Sequence, residues 1–295
     1  MYYRRKIVLS LLQIFGGSLS KLNLQKYLFL FNQRTERNYY DFIPYKFGCY
    51  SFQANQDLST LAKYKIIKEV DNNWKLIVSD NYINQLLSND ETNLLEFYSD
   101  FKNLNNNELI RYVYEKYPYY AINSKIAKDV VSKEKFKEII NNIPQQEEFA
   151  LYTIGYEGKS IEYYTNQLIK ENVKVLCDVR KNPFSMKYGF SKNQLKNILE
   201  NIGIEYLHFP ELGIESNKRK NLNTFNDFKE LFAEYEDTIL KSKIDEIEKL
   251  FDLYLGKKRI ALTCFEADHN SCHRSHTAKI LQSKYYERVI KIKHI

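Results

Sequence analysis

Polar residues and glycines follow the apolar segments in the C-terminal half of the chain. These segments have the length and the β-branched content of buried strands. The residues after them that could do chemistry are Gly155 and Tyr156, then Asp178, Arg180 and Asn182, then His208, and last Glu266, with Cys272, His273 and Arg274 opening the next helix. Strand ends of this kind meet at one edge of a parallel sheet, so we expect one site there.

Several of these residues suit an anionic ligand. Gly155 allows a close backbone approach, and Tyr156 and Asn182 offer hydrogen bonds. Arg180 and Arg274 have the forked geometry that binds phosphate through two hydrogen bonds. The predicted phosphate or ligand-binding residues are Gly155, Tyr156, Arg180, Asn182, Cys272 and Arg274. The alternative for Arg274 is a structural ion pair with Glu266 or Asp268.

Two carboxylates and one imidazole are the candidates for acid–base chemistry. Asp178 and Glu266 follow neighbouring strands and could divide the roles of acid and base, and His273 is the third candidate catalytic residue. The alternative for Asp178 is that it caps the next turn or orients Arg180. Cys272 could be a nucleophile, because a helix N-terminus lowers the pKa of a thiol.

No metal is expected. Cys264, His269, Cys272 and His273 have the spacing C-x4-H-x2-C-H, which is not a familiar zinc pattern. No cofactor is predicted either. His208 and His276 are interpreted as packing or surface residues.

The elements that position these residues alternate between strand and helix from residue 150 to 295. This alternation predicts a mostly parallel, Rossmann-like sheet with helices on both faces. The polar segment 142–149 separates it from residues 1–143, where helical periodicity dominates. There, three helices precede a hairpin near residues 66–78, the order of a winged helix, and residues 84–143 are helical with a break near Tyr117–Tyr120.

Composition leaves the class of partner open. The chain has 295 residues and a net charge of +7, spread evenly over both halves, which is compatible with a polyanion. Four cysteines without a disulfide pattern, and the lack of a secretory signal or a long apolar run, favour a cytoplasmic protein that does not enter a membrane.

The C-terminal half also resembles a known family. The runs TIGYEGKS, LCDVRKNPFSMKYGFS, YLHFPELGI and LTCFEADHNSCHR are similar in order and spacing to the domain of unknown function 488 family. The resemblance implies a Rossmann-like fold whose motif residues line one pocket, and a setting of nucleic-acid modification or defence. The chain departs from the family pattern at Leu212-Gly213-Ile214, where a second glycine often follows.

The N-terminal half resembles the YwgA-like and Panacea-like families, which are similar to winged-helix modules and occur in toxin–antitoxin and phage-defence settings. The residues that carry this resemblance are Leu24, Gln25, Lys26, Phe42, Pro44, Tyr45, Gly48, Tyr50, Ser51 and Asp57. It implies a binding role for this half, toward nucleic acid or a partner protein.

Two functions follow as expectations. The first is an enzyme that acts on a nucleic acid or nucleotide, with hydrolysis of an N-glycosidic bond in modified or damaged nucleic acid as its concrete form. The second is a non-catalytic sensor, in which the pocket reads a modified base or nucleotide and the N-terminal domain signals to a protein partner. Turnover distinguishes the two, and fold alone does not.

Overall fold

Two compact units make up the chain. A computed structural model describes residues 1–219, 222, 224–285 and 290–295. The units are Met1–Ile143 and Pro144–Ile295. Among the described residues, no helix combines the length and the apolar character that crossing a bilayer would take.

The N-terminal unit is mainly helical, as predicted. Its elements are α1 (Tyr3–Ile14), β1 (Ser18–Ser20), α2 (Lys21–Arg34), β2 (Ile43–Tyr45), β3 (Gly48–Tyr50), α3 (Phe52–Lys63), β4 (Ile67–Val70), β5 (Asn73–Leu76), α4 (Ser88–Phe101), α5 (Asn106–Lys116), α6 (Ala127–Val130) and α7 (Lys133–Asn141). A 3-10 turn at Pro118–Ala121 marks the break between α5 and α6. The break lies where Pro118 prevents the helix from continuing.

The hairpin lies where the sequence predicts it. β4 and β5 pair antiparallel around Asp71 and Asn72, which both adopt positive φ angles, of 48° and 63°. β1 adds a third strand, giving the order β1-β5-β4. The predicted order of three helices followed by a hairpin is therefore present, while the resemblance of this unit to a winged-helix family stays a prediction.

The segment from Asp41 to Phe52 forms two short strands, although its turn-forming residues predict an irregular connection. We expect a turn-rich connector there, but β2 and β3 pair antiparallel, with Tyr45 opposite Gly48. Gly48 has a φ of +93°, which a glycine adopts without strain and which closes the tight turn between the strands. The glycine thus makes a two-stranded ribbon where only a turn was anticipated.

The C-terminal unit alternates strands and helices. Its elements are β6 (Ala150–Gly155), α8 (Ile161–Lys170), β7 (Val175–Asp178), α9 (Lys192–Glu200), β8 (Glu205–His208), α10 (Phe225–Tyr235), α11 (Ile244–Lys257), β9 (Arg259–Cys264), α12 (His273–Lys284) and β10 (Ile292–His294). A π-helical turn, Glu236–Leu240, extends α10. The predicted last strand covers residues 289–295, of which Val289 lies outside the described residues.

The five strands form one parallel sheet, as predicted. Their order is β10-β6-β9-β7-β8, so β9 lies between two strands that precede it in the chain. Every residue of β6, β7 and β9 is buried, which explains their nearly continuous apolar sequences. The fold class expected from the sequence is confirmed.

Two serines at helix starts behave differently. Ser160 caps α8, because its hydroxyl accepts from the N–H of Tyr163 at 3.0 Å. Ser191 precedes α9 but does not bond to the helix. Its hydroxyl instead donates to the carbonyl of Ser185 at 2.8 Å and accepts from the N–H of that residue at 3.1 Å. Ser191 precedes a helix, as a capping serine does, but it does not cap α9, because its hydroxyl closes the loop after β7.

Candidate functional site

The carboxyl ends of four strands lie side by side at one edge of the C-terminal sheet. Gly155 is opposite Cys264 at the ends of β6 and β9. Asp178, at the end of β7, lies between Thr263 and His208 on its two neighbours. The edge that the sequence analysis expects to hold the site is therefore formed.

Asp178 and Arg180 form a buried ion pair at the end of β7. Nη2 of Arg180 lies 2.5 Å from Oδ2 of Asp178, and Nε donates to Oδ1 at 2.8 Å. Oδ2 also accepts from the hydroxyl of Tyr206 at 2.6 Å. Since the Asp178 side chain has no exposed surface, its contacts are those of the structural alternative, in which it orients Arg180.

The other N–H groups of Arg180 donate hydrogen bonds to residues that form one wall of the site. Nη1 donates to the hydroxyl of Tyr156 and to the carbonyl of Phe190, both at 2.9 Å. Burial alone would lower the pKa of Arg180, but the hydrogen bonds and charge of Asp178 outweigh it and raise that pKa well above its ordinary value. The guanidinium is therefore a fixed positive charge.

A cavity of about 350 Å³ opens beside Arg180. Its lining residues are Tyr156, Arg180, Lys181, Asn182, Phe184, Ser185, Ile214, Cys264 and Phe265. Three of the predicted ligand-binding residues thus meet at one cavity. Oδ1 of Asn182 accepts from the N–H of Phe184 at 3.1 Å, so this amide also shapes the loop after β7.

Aromatic side chains that the sequence analysis did not select form much of this wall. The Tyr156 ring stacks on Phe190, with centroids 4.4 Å apart and planes 11° apart. Phe265 meets Tyr156 edge to face at 5.3 Å. Phe184 and Phe265 remain 72% and 43% exposed. The phenylalanines lie inside the runs DVRKNPF and CFE, so the signal for them was their place in those motifs.

The loop between β7 and α9 carries concentrated positive charge. Residues 179–192 include Arg180, Lys181, Lys187 and Lys192 but no acidic residue. Nζ of Lys187 donates to the carbonyl of Tyr156 at 2.9 Å and lies over the ring of Phe190. Burial lowers the pKa of Lys187, and the charge of Glu157 acts in the opposite direction.

His208 braces the same loop from β8. Its Nε2 lies 2.9 Å from the carbonyl oxygen of Arg180. Because a carbonyl only accepts, Nε2 carries the proton and Nδ1 is left to accept from Nζ of Lys192 at 3.1 Å. His208 is therefore more than a surface residue, since it connects β8 to both ends of the basic loop.

Arg274 is buried, with 1% of its surface exposed. Nη1 donates to the carbonyl of Glu266 at 2.6 Å, and Nη2 to that of Ala267 at 3.2 Å. No carboxylate in the described part of the chain lies within salt-bridge distance of it, so the alternative considered for Arg274, an ion pair with Glu266 or Asp268, is not formed there, and bonds to backbone carbonyls take its place. Its Nε is buried and has no hydrogen-bond partner among the described residues.

Two thiols and one imidazole meet at the end of β9. Sγ of Cys264 and Sγ of Cys272 lie 3.7 and 4.0 Å from Nδ1 of His273. Cys272 also donates to Oε2 of the partly exposed Glu266 at 2.9 Å. Burial raises the pKa of Cys272 well above its usual value, which does not favour the nucleophilic thiolate considered above.

Of the predicted catalytic residues, neither Asp178 nor His273 has exposed surface. Glu266, the third, is partly exposed and follows the cavity-lining Phe265. The structure thus brings all of the predicted residues to one sheet edge but places Arg180, Tyr156 and Asn182 on the cavity surface. The roles proposed for the buried ones in chemistry stay predictions.

Close packing of the backbone leaves no room for a side chain at Gly155. A Cβ built on it would lie far closer to the Glu266 carbonyl oxygen than van der Waals contact allows. The space that a ligand was expected to use is therefore filled by the chain after β9, which corrects the role given to this glycine. Gly213 has the same character, since its Cβ would collide with the backbone of Lys181.

We expect Gly155→Ala to lower the free energy of unfolding of the C-terminal unit by about 1–3 kcal/mol, the usual cost of overpacking. Gly256→Ala is the control: it lies in α11, a Cβ there meets nothing within 4 Å, and helix propensity predicts a gain of up to about 1 kcal/mol. Urea denaturation followed by circular dichroism measures both. Equal stability of the two variants would contradict the packing argument.

A larger cavity, of about 590 Å³, belongs to the N-terminal unit. Of the two arginines that line it, Arg34 is paired with Glu96 at 2.8 Å and with Asp100 at 2.6 Å. Glu36 and Asp90 also line this cavity, whereas the described lining of the cavity beside Arg180 contains no acidic residue, so the larger cavity is the weaker candidate for an anionic ligand.

Part of the C-terminal unit matches a known family model. Residues 160–281 match the model of a family described as "Domain of unknown function DUF488". The match lies within the C-terminal unit and includes the Asp178–Arg180 pair, the basic loop and the thiol–imidazole group. No curated protein and no solved structure matched the chain.

Proposed function

Starting from the match of residues 160–281 to the DUF488 family, we propose that the cavity beside Arg180 binds a nucleotide, or one nucleotide unit of a nucleic acid. The observation that carries the proposal is the combination of exposed aromatic rings with a loop whose charged residues are all basic, around one cavity. Single-stranded nucleic acids are recognised by this combination, because bases stack on aromatic rings while cations follow the phosphates.

The aromatic part supports recognition of a base. Phe184 and Phe265 lie at the cavity with much of their ring surface exposed to solvent. An exposed phenylalanine side chain contributes little to the stability of the fold, whereas a stacked base would remove one face of its ring from water. Such stacking contributes about 1–3 kcal/mol per base.

The charged part supports recognition of a phosphate. Lys181 lies at the cavity, only 3.4 Å from the exposed Glu211, while Arg180 is fixed by Asp178. An ion pair as exposed as Lys181–Glu211 is weak, so Lys181 is available to an anion at little cost. The positive charge that a phosphate would meet at the cavity therefore comes mainly from Lys181, because Asp178 balances the charge of Arg180.

The contacts of Asp178 bear on whether this function includes catalysis. A glycosidase carboxylate must reach the sugar, but Asp178 is buried and bonded to Arg180 and Tyr206. This favours the sensor form of the function over a glycosidase that uses Asp178. The hydrolytic form is the second candidate and rests on Glu266, the one predicted carboxylate with exposed surface.

Phe184→Ala tests the proposal. It should weaken binding of a fluorescent single-stranded oligonucleotide by about 5- to 150-fold, the loss of one stacked base. Met186→Ala is the matched control, because Met186 lies in the same loop, is 95% exposed and does not line the cavity. Anisotropy titrations of DNA, RNA and mononucleotide competitors over a salt series measure both variants.

The proposal fails if the wild-type protein binds none of these probes, or if Phe184→Ala binds as well as Met186→Ala. A turnover assay on the same oligonucleotides, read by release of a free base, then separates the sensor from the glycosidase. We expect no base release. Base release that the folded Glu266→Gln variant lacks would instead establish the hydrolytic form.

A further inference from the structure

Three possible metal ligands converge behind the end of β9. Sγ of Cys264, Sγ of Cys272 and a ring nitrogen of His273 all lie within 4.8 Å of one another, and all three residues are buried. This set differs from the spacing pattern that argued against a metal in the sequence. His269 belonged to that pattern, but its ring stacks on His294 at 3.6 Å instead.

The imidazole of His273 is held in the orientation that a metal ligand needs. Nε2 lies 2.9 Å from the carbonyl oxygen of Val179, which can only accept, so Nε2 carries the proton. The unprotonated Nδ1 of the neutral ring therefore faces the two thiols, at 3.7 and 4.0 Å. Metal-binding histidines commonly donate their other ring nitrogen to a backbone carbonyl in this manner.

Glu266 is the carboxylate next to this group. Its Oε2 lies 2.9 Å from Sγ of Cys272 but is not within 4.8 Å of all three donor atoms, so its side chain must turn toward them to serve as a fourth ligand. Tetrahedral zinc, with bonds of about 2.3 Å to sulfur and about 2.0–2.1 Å to nitrogen and oxygen, keeps its ligands about 3.5–3.8 Å apart. The observed sulfur–nitrogen distances are therefore close to those of a loaded site.

We propose that Cys264, Cys272 and His273 bind one thiophilic divalent cation of the zinc class, with the carboxylate of Glu266 as the fourth ligand. Binding displaces the proton from each thiol to solvent, so the ligands are two thiolates, one neutral imidazole and one carboxylate. A divalent ion in this set leaves one net negative charge. Cys264 also lines the cavity beside Arg180, but the metal proposal does not rest on nucleotide binding.

Arg274 provides a counter-charge for that site. It follows His273 in the chain, is buried, and donates to the Glu266 carbonyl without any carboxylate of the described chain at salt-bridge distance. A buried guanidinium in this position is costly unless negative charge lies nearby. The metal-bound thiolates would supply that charge, which accounts for an arginine that the protein contacts otherwise leave unbalanced.

The test uses the full chain, stripped of metal by a chelator under reducing conditions and titrated with Co²⁺ and then Zn²⁺. We expect one equivalent of Co²⁺ to bind, with the thiolate charge-transfer and tetrahedral absorption bands, and one equivalent of Zn²⁺ to displace it. Cys272→Ser should weaken binding by more than about 100-fold, since loss of an outer-shell partner already costs about 10–100-fold. Glu266→Gln should weaken it by at least about 10-fold on the same scale.

Cys177→Ala is the matched control, because Cys177 is also a buried thiol of this sheet but lies outside the cluster. This variant should still bind one equivalent of metal.

If the ligand variants fail to fold, alkylation of the thiols in the native wild-type chain tests the proposal instead. Zn²⁺ should protect Cys264 and Cys272, identified by mass spectrometry, and leave the labelling of Cys49 and Cys177 unchanged.

The proposal is overturned if the folded wild-type chain binds no stoichiometric Co²⁺ or Zn²⁺, if the cobalt spectrum lacks thiolate bands, or if Cys272→Ser binds as tightly as Cys177→Ala. Unchanged affinity in Glu266→Gln would overturn the fourth ligand. Phe184→Ala should bind metal normally, so a failure of the nucleotide proposal is distinguishable from a failure of this one.

Discussion

Asp178→Ala is expected to lower the free energy of unfolding of the C-terminal unit by about 3–5 kcal/mol. The substitution leaves the Arg180 guanidinium buried without its counter-charge and removes the acceptor of the Tyr206 hydroxyl. An exposed ion pair would cost far less, because water replaces the lost partner. The size of the effect therefore reports how completely the pair is removed from solvent.

Denaturation can be assigned to one unit because the chain has a single tryptophan, Trp74, in the N-terminal unit. Circular dichroism should show an earlier transition in Asp178→Ala, while the tryptophan transition keeps its midpoint. Glu211→Ala, which breaks the exposed pair with Lys181, is the control and should change stability by less than about 1 kcal/mol. If Asp178→Ala lowers the free energy of unfolding by less than about 1 kcal/mol, the Asp178–Arg180 pair does not stabilise the unit as proposed.

Arg274→Ala is the second substitution with a large expected effect, a loss of about 3 kcal/mol or more of unfolding free energy. Two charge-assisted hydrogen bonds disappear, each of about 1.5–3 kcal/mol, and the carbonyls of Glu266 and Ala267 lose their donor. The truncation also opens a cavity beneath α12. Removal of the buried charge offsets part of this cost.

Arg274→Lys separates charge from shape. A lysine keeps the charge but presents one ammonium group, which does not reproduce a fork that reaches two carbonyls, so we expect a loss between those of the wild type and Arg274→Ala. The midpoint in urea measures both variants. If Arg274→Lys is as stable as the wild type, the two hydrogen bonds to backbone carbonyls do not stabilise the chain after β9. Loss of nucleotide binding in Arg274→Lys at full folding would instead support the phosphate role expected from the sequence.

The parallel sheet could be predicted from the sequence because the apolar pattern that indicates each strand lies within the strand itself. The strands covered on both faces, such as Val175–Asp178, are apolar at nearly every position, and the residues after them are polar. The edge at which those residues meet follows from parallel strands alone. The sheet edge that carries the candidate site was therefore predictable from one sequence.

The partners within the site were not predictable in the same way. Strand periodicity does not show whether Asp178 bonds to Arg180 two residues later or to a ligand, because the choice depends on Tyr206 from another strand. The thiol–imidazole group was missed because linear spacing favoured His269, whereas the 3-10 turn at His269–Ser271 places Cys272 and His273 beside Cys264. The β2–β3 ribbon was missed because Pro44 and Gly48 indicate turns more strongly than strands.

The position of β9 between β6 and β7 determines the order in which the unit can fold. Ala150 pairs with Arg259, and Val175 pairs with Ile260, so both ladders join segments distant in sequence. During synthesis β6 and β7 emerge first and have no partner between them until β9 arrives. Such non-local pairing slows folding and leaves apolar strand edges open to other chains in the interval. Because Cys264 and Phe265 come at the end of β9, the candidate site is completed only when this last inner strand inserts.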